Sequence, residues 1–413
     1  MSAVPTRPVD LLGPRRYAQG YPWDEWARLR AEAPACRIDH PNHEPYWAVT
    51  SHALIREVSS RPEVFTQQPT IQVKTRHSSG RVQEARTIVH MDLPEHRPYR
   101  RVAVGSFTPR AVAALEPTVR AIAGRILDRE LGRHGRPGET VTLDFVETVA
   151  AWHPLAVISE VLGIREADQA DVLRWTNLVL AGSDPEFRDG PDAAASINRA
   201  TAEFLRYFTA MAADRRACPR HDLATVLVEA RIEGQPMPEF ELLSYFMAVA
   251  VAGHDTTRNV LAGSLHALAE RPEIRARLWA DPELWTVAAE ELLRWTSVVV
   301  HFARTAAVDT ELGGQAIGAG DRLALFYPSA NRDDAVFDRP DELDIERSPN
   351  PHLAFGHGEH YCIGQALARL EVRVLFAELA ARVDDLTLAG PAEHLAANFV
   401  SGIKHLPVRC RLR

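Results

Sequence analysis

Apolar positions along the chain recur mostly three and four residues apart. TVRAIAGRILDREL (118–131), ADVLRWTNLVLAG (170–182), AAASINRATAEFLRYFTAMAADRRA (193–217), TVAAEELLRWT (286–296) and GQALARLEVRVLFAELAARV (364–383) share this period and predict helices. A longer periodic stretch runs from about Glu239 to Glu270, roughly 48 Å at 1.5 Å per residue. It is apolar on most faces, which predicts burial. Strand-like pieces are short and few. YWAVT (46–50) is one, and TELGGQAIGAGDRLALFY (310–327) predicts a hairpin with a glycine-rich turn. Residues 333–351 are mostly polar, with Pro340 and Pro349, and predict a meandering loop. The pattern is mainly α with a minor β part: a β-richer N-terminal portion over about 1–75 and a helical body over about 76–413. No linker or repeat divides the chain, so one domain over 1–413 is expected.

Composition narrows the function classes. The net charge is −8 with no basic tract, so nucleic acid is not an expected partner. The N-terminus has no apolar run, which argues against a signal peptide or membrane anchor. Cys36, Cys218, Cys362 and Cys410 are scattered, which is no disulfide framework and predicts a reduced, cytoplasmic chain.

Two segments concentrate unusual chemistry. In HLAFGHGEHYCIGQALARLE (352–371), Cys362 sits among Gly356, Gly358 and Gly364, directly before a periodic helix. The glycines allow tight turns and close backbone approach, and a helix start favours a thiolate. Three readings fit: a buried structural cysteine, a zinc site using His352, His357 and His360, or haem iron held by one axial thiolate. Without C-x-x-C-H, a haem would not be covalently attached. The second segment is AVAVAGHDTTRNVLAG (248–263), which places His254, Asp255, Thr256, Thr257 and Arg258 in the middle of the long apolar helix. Burying such groups is unfavourable unless they are paired or used. A threonine hydroxyl can bond the carbonyl four residues back, here Ala252, and Gly253 leaves room for a small molecule. The alternative is a solvated polar stripe.

Phe355-Gly356-His357-Gly358-Glu359-His360-Tyr361-Cys362-Ile363-Gly364 resembles the haem-binding loop of the cytochrome P450 family, F-x-x-G-x-[HR]-x-C-x-G. The resemblance extends from PYWAVTSHALIREV to NFVSGIKHLPVR, nearly the whole chain. It implies the P450 fold, a triangular single domain with haem between an oxygen-binding helix and the helix after the cysteine loop. It also implies Cys362 as the proximal iron ligand, Phe355 beside the sulfur, His360 at a haem propionate, and Gly356 and Gly364 shaping the haem loop. Ala252, Gly253, Asp255, Thr256 and Thr257 match the family's A-G-x-[DE]-T-[TS]. That match implies that Ala252 and Gly253 border the haem, that Thr256 hydrogen-bonds dioxygen, and that Asp255 belongs to the proton-delivery chain. Glu291 and Arg294 match E-x-x-R, and Arg347 in LDIERSPNPHLAFG matches the arginine completing that structural network. His96 and Arg100 in MDLPEHRPYRR, with Arg304 in HFARTA, resemble propionate-binding positions.

A haem-thiolate monooxygenase with non-covalent haem b follows from this resemblance. No G-x-G-x-x-G and no cysteine cluster is present, so a separate ferredoxin and ferredoxin reductase are the expected electron donors, with O2 as co-substrate. The expected substrate lining is Ala248, Val249, Val298, Val299, Val300, Phe399 and Val400, together with the stretches 65–88 and 178–191. FMAVAVAG and SVVVHF contain no Lys or Arg, which predicts hydroxylation of a bulky, largely apolar, steroid- or terpenoid-like molecule in secondary or lipid metabolism. One alternative is an amino acid or polyketide tethered to a carrier protein in antibiotic biosynthesis. A haem-based sensor is the non-enzymatic one. A peroxide-driven enzyme would lack the Asp255–Thr256 pair.

Overall fold

The computed structural model describes residues 9–76, 87–132, 135–181, 184–187, 190 and 192–413. Eight helices frame the site: α1 (His96–Val104), α2 (Glu116–Gly132), α3 (Trp152–Leu162), α4 (Gln169–Ala181), α5 (Ala193–Ala217), α6 (Glu239–Ala269), α7 (Trp285–Thr296) and α8 (Gln365–Ala380). Their ends follow local chemistry. The Asp192 side chain caps α5 by accepting from the Ala195 N–H, and Gly163 ends α3 at φ +82°. Each helix foreseen from periodicity is present within a few residues. The long one, α6, has 31 residues and packs against α3, α4, α5, α7 and α8. It is therefore buried along most of its length, as its lack of a continuous polar face requires.

The principal strands are β1 (Ala35–Ile38), β2 (Tyr46–Val49), β3 (Phe65–Thr66), β4 (Thr140–Asp144), β5 (His301–Ala306), β6 (Arg322–Phe326), β7 (Val383–Leu388) and β8 (Pro407–Leu412). Five of them form a sheet in the order β1-β2-β6-β5-β3, parallel only between β2 and β6. The expected hairpin pairs Thr310–Leu312 with Gln315–Ile317. Its two-residue turn is Gly313-Gly314, at φ +56° and +76°, a conformation that any Cβ disfavours.

A second sheet, β7-β8-β4, was not foreseen. Its signal is nonetheless in the sequence. In PVRCRL, Val408, Cys410 and Leu412 are buried and alternate with exposed Arg409 and Arg411. Cys410 is thus a core residue of a strand. Among the described residues, no helix is long and apolar enough to cross a membrane.

Candidate functional site

The cysteine loop closes on itself. The Cys362 N–H donates to Phe355 O at 2.9 Å, and the Gly356 N–H to Leu353 O at 2.9 Å. Gly356 and Gly358 both lie at φ +73°. At Gly358 a Cβ would sit 2.2 Å from Ser59 O, so close backbone approach demands glycine there. Behind the loop, Glu290 accepts from Arg369 Nε and Nη2 at 2.5 and 2.9 Å and meets His352 Nε2 at 3.1 Å. Burial pushes the Glu290 carboxyl up, but these partners outweigh it and hold the pKa at about 2. The same Arg369 guanidinium lies 4.5 Å from the Phe355 ring centre, so Phe355 is fixed beside Cys362.

The expected thiolate depends on the ion it would hold. Burial pushes the Cys362 thiol up; the Gly364 N–H and the charges of Arg100 and Arg369 pull the other way without cancelling it. In the metal-free chain the balance is upward, and the helix start does not by itself reverse it. A metal cation bound to the sulfur would, because a coordinating thiol loses its proton. The zinc reading finds no support: among the described residues, no three-ligand group includes Cys362, and His352 is engaged with Glu290.

One loop turn away, basic side chains converge. The His96 and His360 rings stand 4.2 Å apart. Burial, then the charges of Arg304, His96 and Arg100, bring the His360 pKa down to about 2, so all four groups lie within electrostatic reach. His96 is 1% exposed, and neither ring nitrogen has a hydrogen-bond partner. Arg100 donates to Tyr361 O at 2.5 Å, and buried Arg304 donates to its neighbour's carbonyl, Ala303 O, at 2.9 Å. Among the described residues neither arginine forms an ion pair with a carboxylate within 4.0 Å. Guanidinium groups in that state, one buried at Arg304 and one half-buried at Arg100, suit an anionic ligand.

Facing this cluster, the middle of α6 is two-sided. Ala252 is exposed and Gly253 and Thr256 are partly exposed, whereas His254, Asp255, Thr257 and Arg258 are buried. Thr256 Oγ1 donates to Ala252 O at 2.7 Å, as its sequence position predicted. Asp255 points away from that opening. Its Oδ1 lies 2.5 Å from Arg258 Nη2, and Asn259 Nδ2 donates to Oδ2 at 3.3 Å. Arg258 in turn donates to Asn177 Oδ1 of α4 at 2.6 Å. Burial pushes the Asp255 carboxyl up and wins over the lowering by Arg258. His254 Nε2 meets Ala151 O at 3.0 Å, and burial lowers its pKa to about 3. The expectation that Gly253 leaves room for a small molecule is corrected: its missing Cβ would lie 2.7 Å from Ile158, so the glycine serves the α3–α6 crossing.

Known proteins settle the family. The Cytochrome P450 family model matches residues 283–382. The chain is 34% identical to Cytochrome P450-terp of Pseudomonas sp, over 97% of this chain and 96% of that protein. It is 36% identical to a steroid C26-monooxygenase of Mycolicibacterium smegmatis (97% and 93%) and 33% identical to a linalool 8-monooxygenase of Pseudomonas putida (97% and 98%). Among solved structures, CYP108D1 from Novosphingobium aromaticivorans matches with TM-score 0.88 and 39% identity over 98% and 97% of the two chains. Mycobacterium marinum CYP268A2 in complex with pseudoionone matches with TM-score 0.90 and 33% identity over 99% and 100%. The chain belongs to the cytochrome P450 family. It is a monooxygenase, and the family's cofactor is haem. The residues fit that group: one sulfur for an iron, and four basic side chains without carboxylate ion pairs as close as 4.0 Å at Arg100 and Arg304, for its two carboxylates.

Behind the P450 cysteine loop lies its anchor. Glu291 accepts from Arg294 Nε and Nη2 at 2.7 Å each, from Arg347 Nε at 3.2 Å, from Asn350 Nδ2 at 3.0 Å and from the Asp344 N–H at 3.0 Å. Arg294 also donates to the carbonyls of Asn331, Pro340 and Glu342, and Arg347 to those of Asp338, Arg339 and Glu342. The meandering stretch 333–351 is thus held by its backbone carbonyls. Asp344 and Asn350 were not foreseen, because nothing in their spacing links them to a glutamate more than fifty residues away.

The expected substrate-lining positions separate. Ala248, Val249, Val299 and Phe399 are partly exposed. Val298 and Val400 are buried, but residues 298–300 are laddered onto 399–401: Ser401 N donates to Val298 O at 2.9 Å and Val300 N to Phe399 O at 2.8 Å. Val300 is fully buried and packs with Leu11, Trp26 and Phe326 on the other side of the wall. Phe399 stands edge-on to Phe302 at 5.2 Å, a neighbour the sequence reading omitted. Gly402 was also missed: its Cβ would lie 2.4 Å from Asn259 Oδ1, so the C-terminal segment presses against α6 beside Asp255. Residues 77–86, 182–183, 188–189 and 191, which fall in two further expected lining stretches, lie outside the described residues.

Proposed function

We propose that this P450 hydroxylates a C–H bond of a bulky, largely apolar, steroid- or terpenoid-like molecule, using haem b and electrons from a separate ferredoxin and ferredoxin reductase in the cytoplasm. The observation that carries the substrate class is the surface beside the Thr256 opening. Among the described residues, the expected lining positions that stay accessible, Ala248, Val249, Val299 and Phe399, and Ala252 one turn before Thr256, are all uncharged. Such a wall offers desolvation and dispersion contacts but no anchor for a charged group. The relatives named for steroid and linalool oxidation, and the P450 solved with pseudoionone, support the same class. We read 1–413 as one domain.

When bound, haem supplies dioxygen activation and oxygen transfer. The chain supplies the rest. Cys362 Sγ would hold the iron, and the Gly364 N–H donates to that sulfur; this bond would withdraw charge from it and tune it. His96, Arg100, Arg304 and His360 would hold the two propionates. Thr256 presents its hydroxyl on the open face of α6, with the Ala252 carbonyl fixing its direction. Asp255 holds a proton more readily than an ordinary aspartate because it is buried. Leaving Arg258 and turning toward Thr256 would let it deliver that proton.

The test is a titration of haem-loaded protein with free steroids and terpenoids, set beside carrier-protein-loaded acyl groups, read by the haem spin-state shift. Hits are then followed for product and for nicotinamide consumption with added ferredoxin and reductase. A shift with free lipids and hydroxylated product is expected. A shift only with carrier-loaded forms would replace this reading with the tethered one. Spin-state shifts without any product would make the protein a haem-based binder.

A further inference from the structure

A second group of metal-ligating side chains lies on the far side of the main sheet, and the oxidation chemistry does not use it. Asp10, His40 and His43 each present one donor atom, and the three atoms lie within 4.8 Å of one another. His40 and His43 are the ends of an H-x-x-H turn between β1 and β2, closed by His43 N donating to His40 O at 3.2 Å. Their rings are 5.5 Å apart. Asp10 comes from the N-terminal segment. Its Oδ1 accepts from the Leu12 N–H at 3.1 Å and lies 3.4 Å from His43 Nε2.

These distances suit a small tetrahedral ion. Bonds of about 2.0–2.2 Å set neighbouring ligand atoms about 3.4 Å apart. The Asp10–His43 edge already has that length. The third ligand atom has to close by no more than about 1.4 Å, the difference between 4.8 Å and that span.

His43 is the independent sign. It is 3% exposed, and neither ring nitrogen has a hydrogen-bond partner. A buried imidazole whose closest polar contact is the loose 3.4 Å approach of Asp10 to Nε2 is poorly satisfied, and a cation shared by Nε2 and that carboxylate relieves it. The hydroxyl of Tyr46, also buried and unpartnered, is near enough to Asp10 to sense its charge. Arg76 donates to His43 O at 2.6 Å, and its charge is offset by Asp39, whose Oδ1 accepts from it at 2.8 Å.

We propose that Asp10, His40 and His43 form a structural site for a divalent transition-metal ion of the zinc class, with water as the fourth ligand. Two imidazoles and one carboxylate select zinc over magnesium or calcium, which prefer all-oxygen shells. The ion would clasp the N-terminal segment to the β1–β2 turn. That segment runs on into Leu11 and Leu12, which pack with Val300, and Leu12 O accepts a hydrogen bond from Asn398, next to Phe399. The clasp therefore reaches the wall beside the haem.

The test uses haem-loaded, chelator-treated protein titrated with Zn2+ by calorimetry, with Mg2+ as the control. One zinc per chain is expected, with no magnesium binding. Asp10→Asn and His40→Ala, both at partly exposed positions outside the haem site, should each weaken zinc binding by about tenfold or more while the haem spectrum is unchanged. X-ray absorption at the zinc edge, which the haem iron does not obscure, should show two imidazole nitrogens. No stoichiometric binding, unchanged affinity in both variants, or a zinc shell without imidazole would overturn the site.

Discussion

Two acid–arginine pairs lie at the centre of this P450, each three residues apart on a helix and each removed from solvent, yet they are built to opposite ends. Glu291 and Arg294 of α7 are both 0% exposed and saturated: Glu291 accepts from four residues and Arg294 donates to three carbonyls besides. Asp255 and Arg258 of α6 are nearly as buried but left short. Asp255 Oδ1 and Arg258 Nε and Nη2 have no bond of hydrogen-bond geometry, although Oδ1 and Nη2 are 2.5 Å apart. A buried pair is rigid when every lone pair and proton is used, and exchangeable when some are not. The first pair is a scaffold. We read the second as a proton-holding device.

Glu291→Ala should have the largest effect. It removes the acceptor of Arg294, Arg347 and Asn350 at once and leaves two buried guanidinium groups without a counter-charge. Breaking such a pair typically costs about 3–5 kcal/mol, out of a total stability of roughly 5–15 kcal/mol. The expected outcome is little haem-loaded protein, measured as the ratio of haem to protein absorbance after expression. Full haem content would show that the loop 333–351 does not depend on this anchor.

The two pairs were unequally legible in the sequence. Glu291, Arg294 and Arg347 could be named from motif resemblance, but E-x-x-R alone is common, and the carbonyls of 331–342 carry no side-chain signature at all. Asp255 could be named too, and its partner Arg258 stands three residues on, a spacing that helix geometry makes adjacent. What escaped was direction. Whether Gly253 faces a ligand or Ile158 depends on how α3 crosses α6, which no local pattern encodes. The helices were legible because their 3.6-residue period is long and repeated. The β7-β8-β4 sheet was not, because six-residue strands give only three turns of alternation and β4 pairs with β8 across more than 260 residues.

Removing a proton carrier differs from removing a scaffold. Asp255→Asn should fold with haem and bind substrate, yet turn over roughly 10- to 100-fold more slowly. Stability adds a second check, with a definite sign. Burial raises the folded-state pKa of Asp255, so its contribution is complete below the ordinary aspartate range and is lost as pH rises through the raised value. Asparagine does not titrate. The melting temperature of the variant relative to wild type should therefore climb as pH rises through that window and level off above it. A flat difference would mean that Asp255 titrates alike folded and unfolded, and the contrast with Glu291 would fail.

A gentler change acts on the far side of the pair. Arg258→Gln keeps a donor for Asn177 but removes the charge that lowers the Asp255 pKa. Asp255 should then bind its proton more tightly, and the alkaline limb of the pH–rate profile, where a proton donor is lost, should move to higher pH. Haem loading should stay normal, which Arg294→Gln would not allow. An unmoved profile would separate Arg258 from proton delivery.

Thr256→Ala should disturb the fold least of all. The hydroxyl's bond to Ala252 O lies on the open face of α6, where a hydrogen bond is worth at most about 0.5–1.5 kcal/mol, and alanine is the better helix former by a few tenths. The melting temperature should stay close to wild type, and substrate should still shift the haem spin state. Coupling should not survive. With no hydroxyl at the opening, protons reach the site by water rather than by a positioned donor, and reducing equivalents should leave as hydrogen peroxide. Thr256→Ser restores the hydroxyl at the same Cβ and should restore most of the coupling, because serine can also donate to the carbonyl four residues back. The ratio of product to nicotinamide consumed reads this directly. If alanine couples as well as serine, the open face of α6 only shapes the cavity, and proton delivery must be sought elsewhere along the helix.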